Sequence, residues 1–320
     1  MRTVFMEMFG LSAPILQAPI ASAANVALAT AFGRGGGLGS LAMTWTERDE
    51  GMALLSQMKS ANVPFFFNFV LRFGTEKLPW YFASGLPVVT LSWGIDREVI
   101  ARFKAGGTRV GVQVGSAAGA KAALAAGADF VVAQGVEAGG HVQSSTPLGI
   151  LLSEILPLAG ATPVIAAGGI SSAADIVKAM TAGAQGVMMG TRFVASIESG
   201  AHPAYKQALV AAQTDDQAYT NCFDLGWPYA MHGVLRNSTF KNWEAAGCPA
   251  APDRPRENEI VYSKDGQAFP TYSDTPPGAG AEGDVLAGCL YAGKGVAGIN
   301  SVLPAREIVS VLWGEAQKSL

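Results

Sequence analysis

Eight short runs of apolar residues recur along the first 190 residues of this 320-residue chain, separated by stretches rich in alanine and other helix-forming residues. The runs are continuously apolar and do not alternate with polar residues, which is typical of parallel strands buried on both faces. Eight strand–helix units in succession predict an α/β protein built on a (β/α)₈ TIM barrel. We predict strands at Ile15–Ala18, Gly37–Leu41, Phe65–Phe69, Val88–Leu91, Val110–Val114, Phe130–Ala133, Val164–Ala167 and Val187–Met189, with helices such as Asp96–Ala105, Ala117–Ala126 and Ser172–Ala182.

The pattern changes after about residue 203. Residues 204–289 begin with a helical stretch and continue through a segment rich in proline, glycine and charge, from Gly247 to Gly283. Loops of this length are usually functional or disordered, so we expect a smaller, mostly helical lobe that covers the barrel mouth. The alternative is that this segment only lies on the surface and has no role in function. The barrel domain would then comprise residues 1–203 together with helices that return at about 290–320.

Composition excludes several classes of protein. Only 15% of the residues are charged, the net charge is −3, and no cluster of lysine and arginine suggests a nucleic-acid partner. The uncharged stretch from Met8 to Gly33 is interrupted by prolines and polar residues, so we predict no membrane segment, and Glu7 argues against a signal peptide. The three widely spaced cysteines form no metal-binding pattern. We therefore predict a cytoplasmic protein with no metal, and leave open whether it forms a homodimer.

Glycine clusters follow the last two predicted strands. Gly168 and Gly169 come after the seventh strand, and Gly190 with Thr191 comes after the eighth. Active groups in a parallel barrel sit at the carboxyl ends of the strands, and strands seven and eight commonly supply a phosphate site. Backbone N–H groups of such turns bind a dianion without charged side chains, so we predict a phosphate site. The alternative is that the glycines only permit tight turns. Two serines at the next helix N-cap would add donors: Ser171 and Ser172.

The sixth predicted strand leads into the sequence EAGGH, in which Gly139 and Gly140 precede His141. Glycines let the backbone approach a flat ligand closely. Histidine at a strand exit can act as an acid or a base because its pKa lies near neutral pH. We therefore predict a catalytic role for His141, with an ordinary loop residue as the alternative. Glu137 would either orient His141 or only solvate the loop.

Small or polar residues occupy three further strand ends. The first strand ends in an uncharged turn, Ala18, Pro19 and Ile20, which suits contact with an aromatic ring system. Asn68 and Gln113 are amides within apolar strands, and a buried amide must find a hydrogen-bond partner in the backbone or in a ligand. These residues predict a ligand with hydrogen-bonding edges. By contrast, the sequence GAGAEG at 278–283 follows prolines and not a strand, so we exclude a Rossmann-type dinucleotide site there.

Seven segments, taken in this order, resemble the nitronate monooxygenase family, once called 2-nitropropane dioxygenases. The segments are PILQAPI, GGGLGSL, FNFVL, AQGVEAGGH, AAGGI, MGTRF and YAGKGV, and the match runs from about residue 11 to 310. The resemblance implies a TIM barrel that binds FMN and a smaller helical domain that covers the flavin ring. The flavin identity comes from the resemblance and not from the spacing of the motifs.

The resemblance also implies roles for individual residues. His141 matches the proposed catalytic base. Gln134 matches a flavin-site position at which relatives have aspartate, and some relatives carry lysine where Gln113 stands. The resemblance places a set of residues around FMN, and we include Gly139 because it is adjacent to Gly140. The set is Ala18, Pro19, Ile20, Asn68, Gln113, Gln134, Gly139, Gly140, Gly168, Gly169, Gly190 and Thr191.

The activity that the resemblance implies is FMN-dependent oxidation of alkyl nitronates by dioxygen to carbonyl compounds and nitrite. His141 would abstract the α-proton if a neutral nitroalkane is the substrate. In the segment YAGKGV, Tyr291 and Lys294 would hold the anionic nitronate, and the alternative for Lys294 is a lysine that extends along a helix surface.

Other functions stay open at this point. An FMN-dependent NAD(P)H:quinone reductase or enoyl-thioester reductase is the first alternative, because nicotinamide binding in such barrels need not leave a Rossmann motif. A non-catalytic flavin- or phosphate-binding protein is the second. A metal-dependent aldolase or hydrolase lacks ligands, since the three histidines have no carboxylate partner at ligand spacing.

Overall fold

A computed structural model of the chain describes residues 2–320 and consists of a parallel barrel with a lobe at one end. Eight of the strands form the barrel, and the other six form two three-stranded sheets. The strands are β1 (Ile15–Gln17), β2 (Gly39–Ala42), β3 (Phe65–Val70), β4 (Val88–Ser92), β5 (Arg109–Val114), β6 (Phe130–Gln134), β7 (Gly140–His141), β8 (Val164–Ala167), β9 (Gly186–Met189), β10 (Gln217–Thr220), β11 (His232–Leu235), β12 (Ile260–Lys264), β13 (Gln267–Pro270) and β14 (Glu282–Gly283).

Helices alternate with the barrel strands and then continue into the lobe and the carboxyl-terminal segment. They are α1 (Val4–Phe9), α2 (Val26–Arg34), α3 (Arg48–Ala61), α4 (Arg97–Ala105), α5 (Ala117–Ala125), α6 (Leu148–Ala159), α7 (Ala173–Thr181), α8 (Thr191–Val194), α9 (Pro203–Ala211), α10 (Ser238–Ala245) and α11 (Ala305–Ala316). Polar N-caps such as Asp96, Ser116 and Ser172 accept backbone N–H groups at the starts of α4, α5 and α7.

The barrel strands are parallel and lie in the order β1-β9-β8-β6-β5-β4-β3-β2. The ring closes between β1 and β2 through a parallel bridge of Leu16 with Leu38. There the side chain of Gln17 donates to the carbonyl of Ser40 at 3.1 Å and accepts from its amide at 3.3 Å. The prediction of a TIM barrel is confirmed, and the predicted strands agree with the observed ones to within two residues at each end.

The core of the barrel explains the continuous apolar runs. Residues such as Phe66, Val89, Val112, Val132 and Ile165 are fully buried between the strand ring and the helices. The turns Gly127 and Gly183, which precede β6 and β9, have φ values of +92° and +110°. Only glycine adopts such angles without strain, so a glycine is required at the turn after α5 and at the turn after α7.

The lobe contains more strand than the mostly helical lobe that we expected. Besides α9 and α10, it has an antiparallel sheet β10-β11-β7 and a second one, β13-β12-β14. The hairpin β12–β13 turns at Asp265 and Gly266, both with positive φ, and an Asp-Gly pair is the preferred two-residue hairpin turn. The strands escaped prediction because they are short, and β7, β11 and β14 pair with distant segments.

The first lobe sheet connects the lobe to the barrel. Strand β7 lies in the loop after β6, and there His141 pairs with His232 and Gly140 with Gly233. The chain then returns through short 3₁₀ turns at Val285–Ala287 and Lys294–Gly298, and only α11 is an α-helix in this returning segment, where it packs on α2 and α7. None of the helices within residues 2–320 has both the length and the apolar character needed to cross a bilayer.

Candidate active site

One cavity lies at the carboxyl ends of the barrel strands, beneath the lobe, and leaves about 1330 Å³ of empty space out to its open mouth. The predicted cofactor positions line it, as do two of the three predicted catalytic or substrate residues. They are Ala18, Pro19, Ile20, Asn68, Gln113, Gln134, Gly139, Gly140, His141, Gly168, Gly169, Gly190, Thr191 and Tyr291. Lys294 does not line the cavity: its side chain is exposed, and its backbone N–H donates to the carbonyl of Glu137 at 2.9 Å.

One side of this cavity is a glycine wall, formed by Gly139, Gly168, Gly169, Gly190, Gly293 and Gly295. Gly168 and Gly169 have φ values of +112° and +70°, which favour glycine. The loop after β8 packs directly on the returning segment, so a Cβ at Gly295 would lie 2.8 Å from the carbonyl carbon of Gly169. A Cβ at Gly139 would lie 2.6 Å from the amide nitrogen of Gly293. The wall therefore requires glycine for close backbone packing as well as for its turns.

Three backbone amides in the glycine wall or next to it are unpaired. Within residues 2–320, the amides of Gly169, Ile170 and Thr191 have no hydrogen-bond acceptor. The Thr191 hydroxyl accepts the Gly293 amide at 3.0 Å and keeps its own proton for donation. Such a set of neutral donors can bind an anionic oxygen group.

The two serines after Gly169 are not part of this donor set. The amides of Ser171 and Ser172 both donate to the carboxylate of Asp175, at 3.1 and 3.0 Å, in a capping box at the start of α7. The Ser172 hydroxyl also donates to Asp175, and the Ser171 hydroxyl donates to the carbonyl of Gly295 at 2.6 Å. The expectation that these serines add donors for a phosphate therefore does not fit the structure.

The strand-end amides have defined orientations. Asn68 Nδ2 donates to the carbonyl and the hydroxyl of Thr90, at 3.2 and 2.9 Å, which leaves Oδ1 for a ligand. Gln113 Nε2 donates to Oε1 of Gln143 at 2.8 Å and leaves its own Oε1. Both side chains line the cavity, so each offers an acceptor to a ligand that carries N–H groups.

Gln134 braces the loop that carries His141. Its Oε1 accepts the amide of Gln143 at 2.9 Å, and its Nε2 donates to the carbonyl of His141 at 3.4 Å. One side chain on β6 thus holds the backbone on both sides of Val142. This bracing role is separate from the cofactor contact that the sequence predicted for Gln134.

The imidazole of His141 lies among aromatic rings. Its centroid is 4.4 Å from that of Trp227, 5.4 Å from that of His232 and 5.6 Å from that of Tyr291. Burial, together with His232, lowers the pKa of His141 to about 3, so the ring is neutral at pH 7. Its Nε2 atom is buried and has no hydrogen-bond partner within residues 2–320. A buried polar atom without a partner is rare, and this one belongs to a residue that lines the cavity.

His232 lies behind His141 and is fully buried. Its Nε2 atom accepts the amide of Phe223 at 3.2 Å, and Nδ1 lies 2.9 Å from the carbonyl of Ala230. This pattern requires a neutral ring with its proton on Nδ1, and burial lowers its pKa to about 4. Because Phe223 and Ala230 flank Trp227, the imidazole joins the two ends of the segment that places Trp227 against His141.

Two other predicted residues have partners that limit their roles. The Glu137 carboxylate accepts the amide of Leu148, at 3.2 and 3.0 Å, at the start of α6. It therefore caps a helix and neither orients His141 nor simply solvates the loop. The Tyr291 hydroxyl donates to the carbonyl of Asp274 at 2.6 Å, and burial raises its pKa well above the ordinary value. It can accept a hydrogen bond from a ligand but has no proton left to donate.

An aromatic wall, formed by Trp45, Phe73, Trp93 and Trp227, was not predicted from the sequence. Its three tryptophans line the cavity. The ring centroids of Trp93 and Trp227 are 4.5 Å apart, Phe73 lies 4.7 Å from Trp227, and Trp45 lies 5.3 Å from Phe73. Trp45 and Trp93 could have been predicted to lie at the cavity, because each comes just after a barrel strand. Nothing in the sequence around Trp227 indicates that it lines the cavity.

Comparison with known sequences places the chain among flavin enzymes. The family model for nitronate monooxygenase matches residues 72–315. A nitronate monooxygenase of Pseudomonas aeruginosa is 31% identical, over 97% of this chain and 98% of its own. A (3aS,4S,5R,7aS)-5-hydroxy-7a-methyl-1-oxo-octahydro-1H-indene-4-carboxyl-CoA dehydrogenase of Mycobacterium tuberculosis is also 31% identical, over 77% of this chain and 69% of its own.

Solved structures give the same architecture. A nitroalkane oxidase of Streptomyces ansochromogenes superposes with a TM-score of 0.80 and 27% identity, over 98% of both chains. FabK of Thermotoga maritima superposes with a TM-score of 0.78 and 26% identity, over all of this chain and 97% of its own. The two comparisons agree on the TIM barrel and differ in the enzyme that each names.

Proposed function

Because this chain belongs to the nitronate monooxygenase family and is a flavin-dependent oxidoreductase, we propose that it binds FMN and oxidises alkyl nitronates with dioxygen. The observation that carries this proposal is the juxtaposition, in one cavity, of unpaired backbone amides on the glycine wall and an unpaired histidine nitrogen. The first group suits a phosphate, and the second suits a reacting substrate. The products would be a carbonyl compound and nitrite.

The residues present fit an FMN group. The amides of Gly169, Ile170 and Thr191 would hold its phosphate without a charged side chain. The acceptor atoms of Asn68 and Gln113 would receive N–H groups from the ring. When bound, FMN supplies the redox chemistry, in which electrons pass from the nitronate to dioxygen.

His141 would make direct contact with the substrate. Its neutral ring offers one N–H and one lone pair, so it can donate a hydrogen bond to a nitronate oxygen. With a pKa of about 3, it is a weak base toward a neutral nitroalkane. The nitronate has already lost its α-proton and needs no base, so the low pKa favours nitronates over nitroalkanes as substrates. Proton abstraction by His141 would be confined to slow turnover of the neutral form.

The lobe would cover the bound substrate. Trp227 and Pro276 from residues 204–289 line the cavity, and β7 pairs with β11 at its edge. We place the domain boundary accordingly: residues 1–203 and the returning segment form the flavin-binding barrel, and residues 204–289 form the covering lobe.

A first experiment tests the cofactor and the reaction. The flavin released by denaturing the purified protein is identified by chromatography and mass, and FMN is the expected result. Oxygen consumption and nitrite release are then measured with the nitronate of 2-nitropropane and with 2-nitropropane itself. We expect faster turnover of the nitronate, and His141→Asn is expected to lower it. A colourless protein that takes up no FMN, or full activity in the variant, would contradict the proposal.

A second candidate function is reduction of a quinone or an enoyl thioester by NAD(P)H. The similarity to FabK over the whole chain and to a carboxyl-CoA dehydrogenase favours it. Anaerobic mixing with NADH and NADPH discriminates between the two candidates. Rapid bleaching of the flavin would favour the reductase, whereas slow bleaching with fast nitronate turnover would favour the oxidase.

A further inference from the structure

The aromatic wall stands across the barrel from the glycine wall. In the ring order β1-β9-β8-β6-β5-β4-β3-β2, strands β8 and β9 lie four positions from β3 and β4. The glycine wall follows β6, β8 and β9, whereas Trp45, Phe73 and Trp93 follow β2, β3 and β4. A ligand held at the glycine wall therefore has the tryptophans on its far side.

The outer part of the aromatic wall is open to an incoming molecule, whereas Trp227 is buried. Trp45 is 60% exposed and Phe73 is 40% exposed, although both contact other aromatic rings. Clustered apolar exposure of this kind marks a binding surface on a soluble protein. Trp93 also has a φ of +55°, a left-handed conformation that is unfavourable for a bulky residue and concentrates at ligand sites.

The cavity carries no formal charge. Its lining, within the described residues, contains no aspartate, glutamate, lysine or arginine, and its ionisable groups are His141, Tyr205 and Tyr291. His141 is neutral, as shown above. A substrate with a second charged group would lose its hydration in this cavity and gain no ion pair. An uncharged aromatic or aliphatic group would instead gain contact with indole faces.

We propose that the aromatic wall binds the uncharged, bulky side chain of the substrate, so that the enzyme prefers aromatic or long aliphatic nitronates to small or carboxylated ones. This inference rests on the proposed function for the identity of the reacting group. It assigns Trp45, Trp93 and Trp227 as residues that determine substrate specificity. The chemical class of substrate is a monoanion whose only charge is that of the nitronate group, shared by its two oxygens and the α-carbon.

Unreactive carboxylates test this inference without turnover. A carboxylate is a planar monoanion like a nitronate, so 3-phenylpropanoate, propanoate and butanedioate represent the aromatic, small and doubly charged classes. Their binding to the flavin-loaded protein is measured by calorimetry. We expect 3-phenylpropanoate to bind about tenfold to a hundredfold more tightly than propanoate, since burying one phenyl group contributes that much, and butanedioate to bind most weakly.

Matched variants locate the effect. Trp45→Ala removes an exposed ring and is expected to weaken 3-phenylpropanoate binding about fivefold to tenfold while leaving propanoate unchanged. Tyr229→Asn is the control, because Tyr229 is 89% exposed, lies in the same segment as Trp227 and does not line the cavity. It should change neither affinity.

The outcomes separate this inference from the proposed function. Any of three results would overturn the inference. They are equal affinity for 3-phenylpropanoate and propanoate, highest affinity for butanedioate, and an equal loss of affinity for both monocarboxylates in Trp45→Ala. If the predicted selectivity is observed but no nitronate is oxidised, the aromatic wall stands as a binding site for apolar monoanions and the proposed reaction alone fails.

Discussion

The two walls of the cavity are built on opposite principles. The glycine wall acts through its backbone: the amides of Gly169, Ile170 and Thr191, in it or next to it, have no acceptor within residues 2–320, and its packing leaves little room for side chains. The aromatic wall acts through side chains from segments as far apart as Trp45 and Trp227. The difference teaches that one wall is fixed by close main-chain contact, whereas the other is assembled from side chains of three barrel loops and of the lobe.

The largest effect is expected from a methyl group in the glycine wall. In Gly295→Ala, the new Cβ would lie 2.8 Å from the carbonyl carbon of Gly169 and 3.0 Å from the Ser171 hydroxyl, so the backbone must move. We expect about 2–3 kcal/mol of lost stability and about tenfold or more weaker flavin binding, measured by thermal unfolding and by flavin titration of the stripped protein.

Gly149→Ala is the control for this change. Gly149 lies in α6, and an added Cβ has no neighbour within 4 Å. Replacing a helical glycine by alanine should leave flavin binding unchanged and raise stability by up to about 1 kcal/mol. Unaltered flavin affinity in Gly295→Ala would show that the glycine wall tolerates side chains. The claim that this wall depends on close main-chain packing would then be wrong.

Acid should lower the free energy of unfolding, because two histidines that lie next to Trp227 of the aromatic wall or hold its segment are neutral in the folded protein. Unfolded histidines bind protons below about pH 6.5, whereas His141 and His232 in the folded protein do so only at about pH 3 and 4. The unfolded chain therefore binds more protons between these values, and stability falls as the pH drops from 6.5 to 4. Each histidine contributes about 2 kcal/mol to the loss between pH 7 and 5, measured by urea unfolding.

The variant His232→Gln isolates one of these contributions. A glutamine amide oxygen can accept the Phe223 amide that His232 now binds, but glutamine does not titrate. The difference in stability between pH 7 and pH 5 should shrink by about 2 kcal/mol relative to wild type. The same pH dependence in both proteins would mean that His232 is not held neutral.

Between the two walls, Gln134 joins β6 to the loop of His141. Gln134→Leu would leave the Gln143 amide and the His141 carbonyl without their partners, at a cost of about 1–3 kcal/mol. We expect nitronate turnover to fall about tenfold while the flavin stays bound. Gln134→Glu keeps the acceptor for Gln143 and should recover part of the activity. If flavin affinity falls and turnover of the loaded enzyme does not, Gln134 serves the cofactor, as the sequence suggested.

These contrasts also explain what the sequence could predict. The barrel strands were found because a strand buried on both faces is a continuous apolar run, a purely local property. Part of the glycine wall was predicted for the same reason, since Gly168, Gly169 and Gly190 come at the ends of strands. Gly293 and Gly295, which belong to the returning segment, were not predicted. The turn at Asp265 and Gly266 was also a local signal, and it would have predicted the β12–β13 hairpin.

The rest of the site depends on contacts between distant residues. Trp227 reaches His141 because His232 joins Phe223 to Ala230, and because β11 pairs with β7. No periodicity or motif in that segment reports this arrangement. The exposed position of Lys294 outside the cavity likewise depends on how the returning segment packs on the loop of Glu137, which a sequence does not display.

The smallest effect is expected behind the glycine wall, at Glu137. Its carboxylate accepts the Leu148 amide at the start of α6, so Glu137→Gln keeps an acceptor and loses only the favourable charge at a helix start. We expect a loss of about 0.3–1 kcal/mol with unchanged nitronate turnover and flavin content, and Glu137→Ala should cost about 1 kcal/mol more. Urea unfolding and nitrite release measure the two quantities separately. A tenfold loss of turnover at unchanged stability would instead make Glu137 a positioning residue for His141. The contact of Glu137 with α6 would then affect the reaction as well as the stability of the fold.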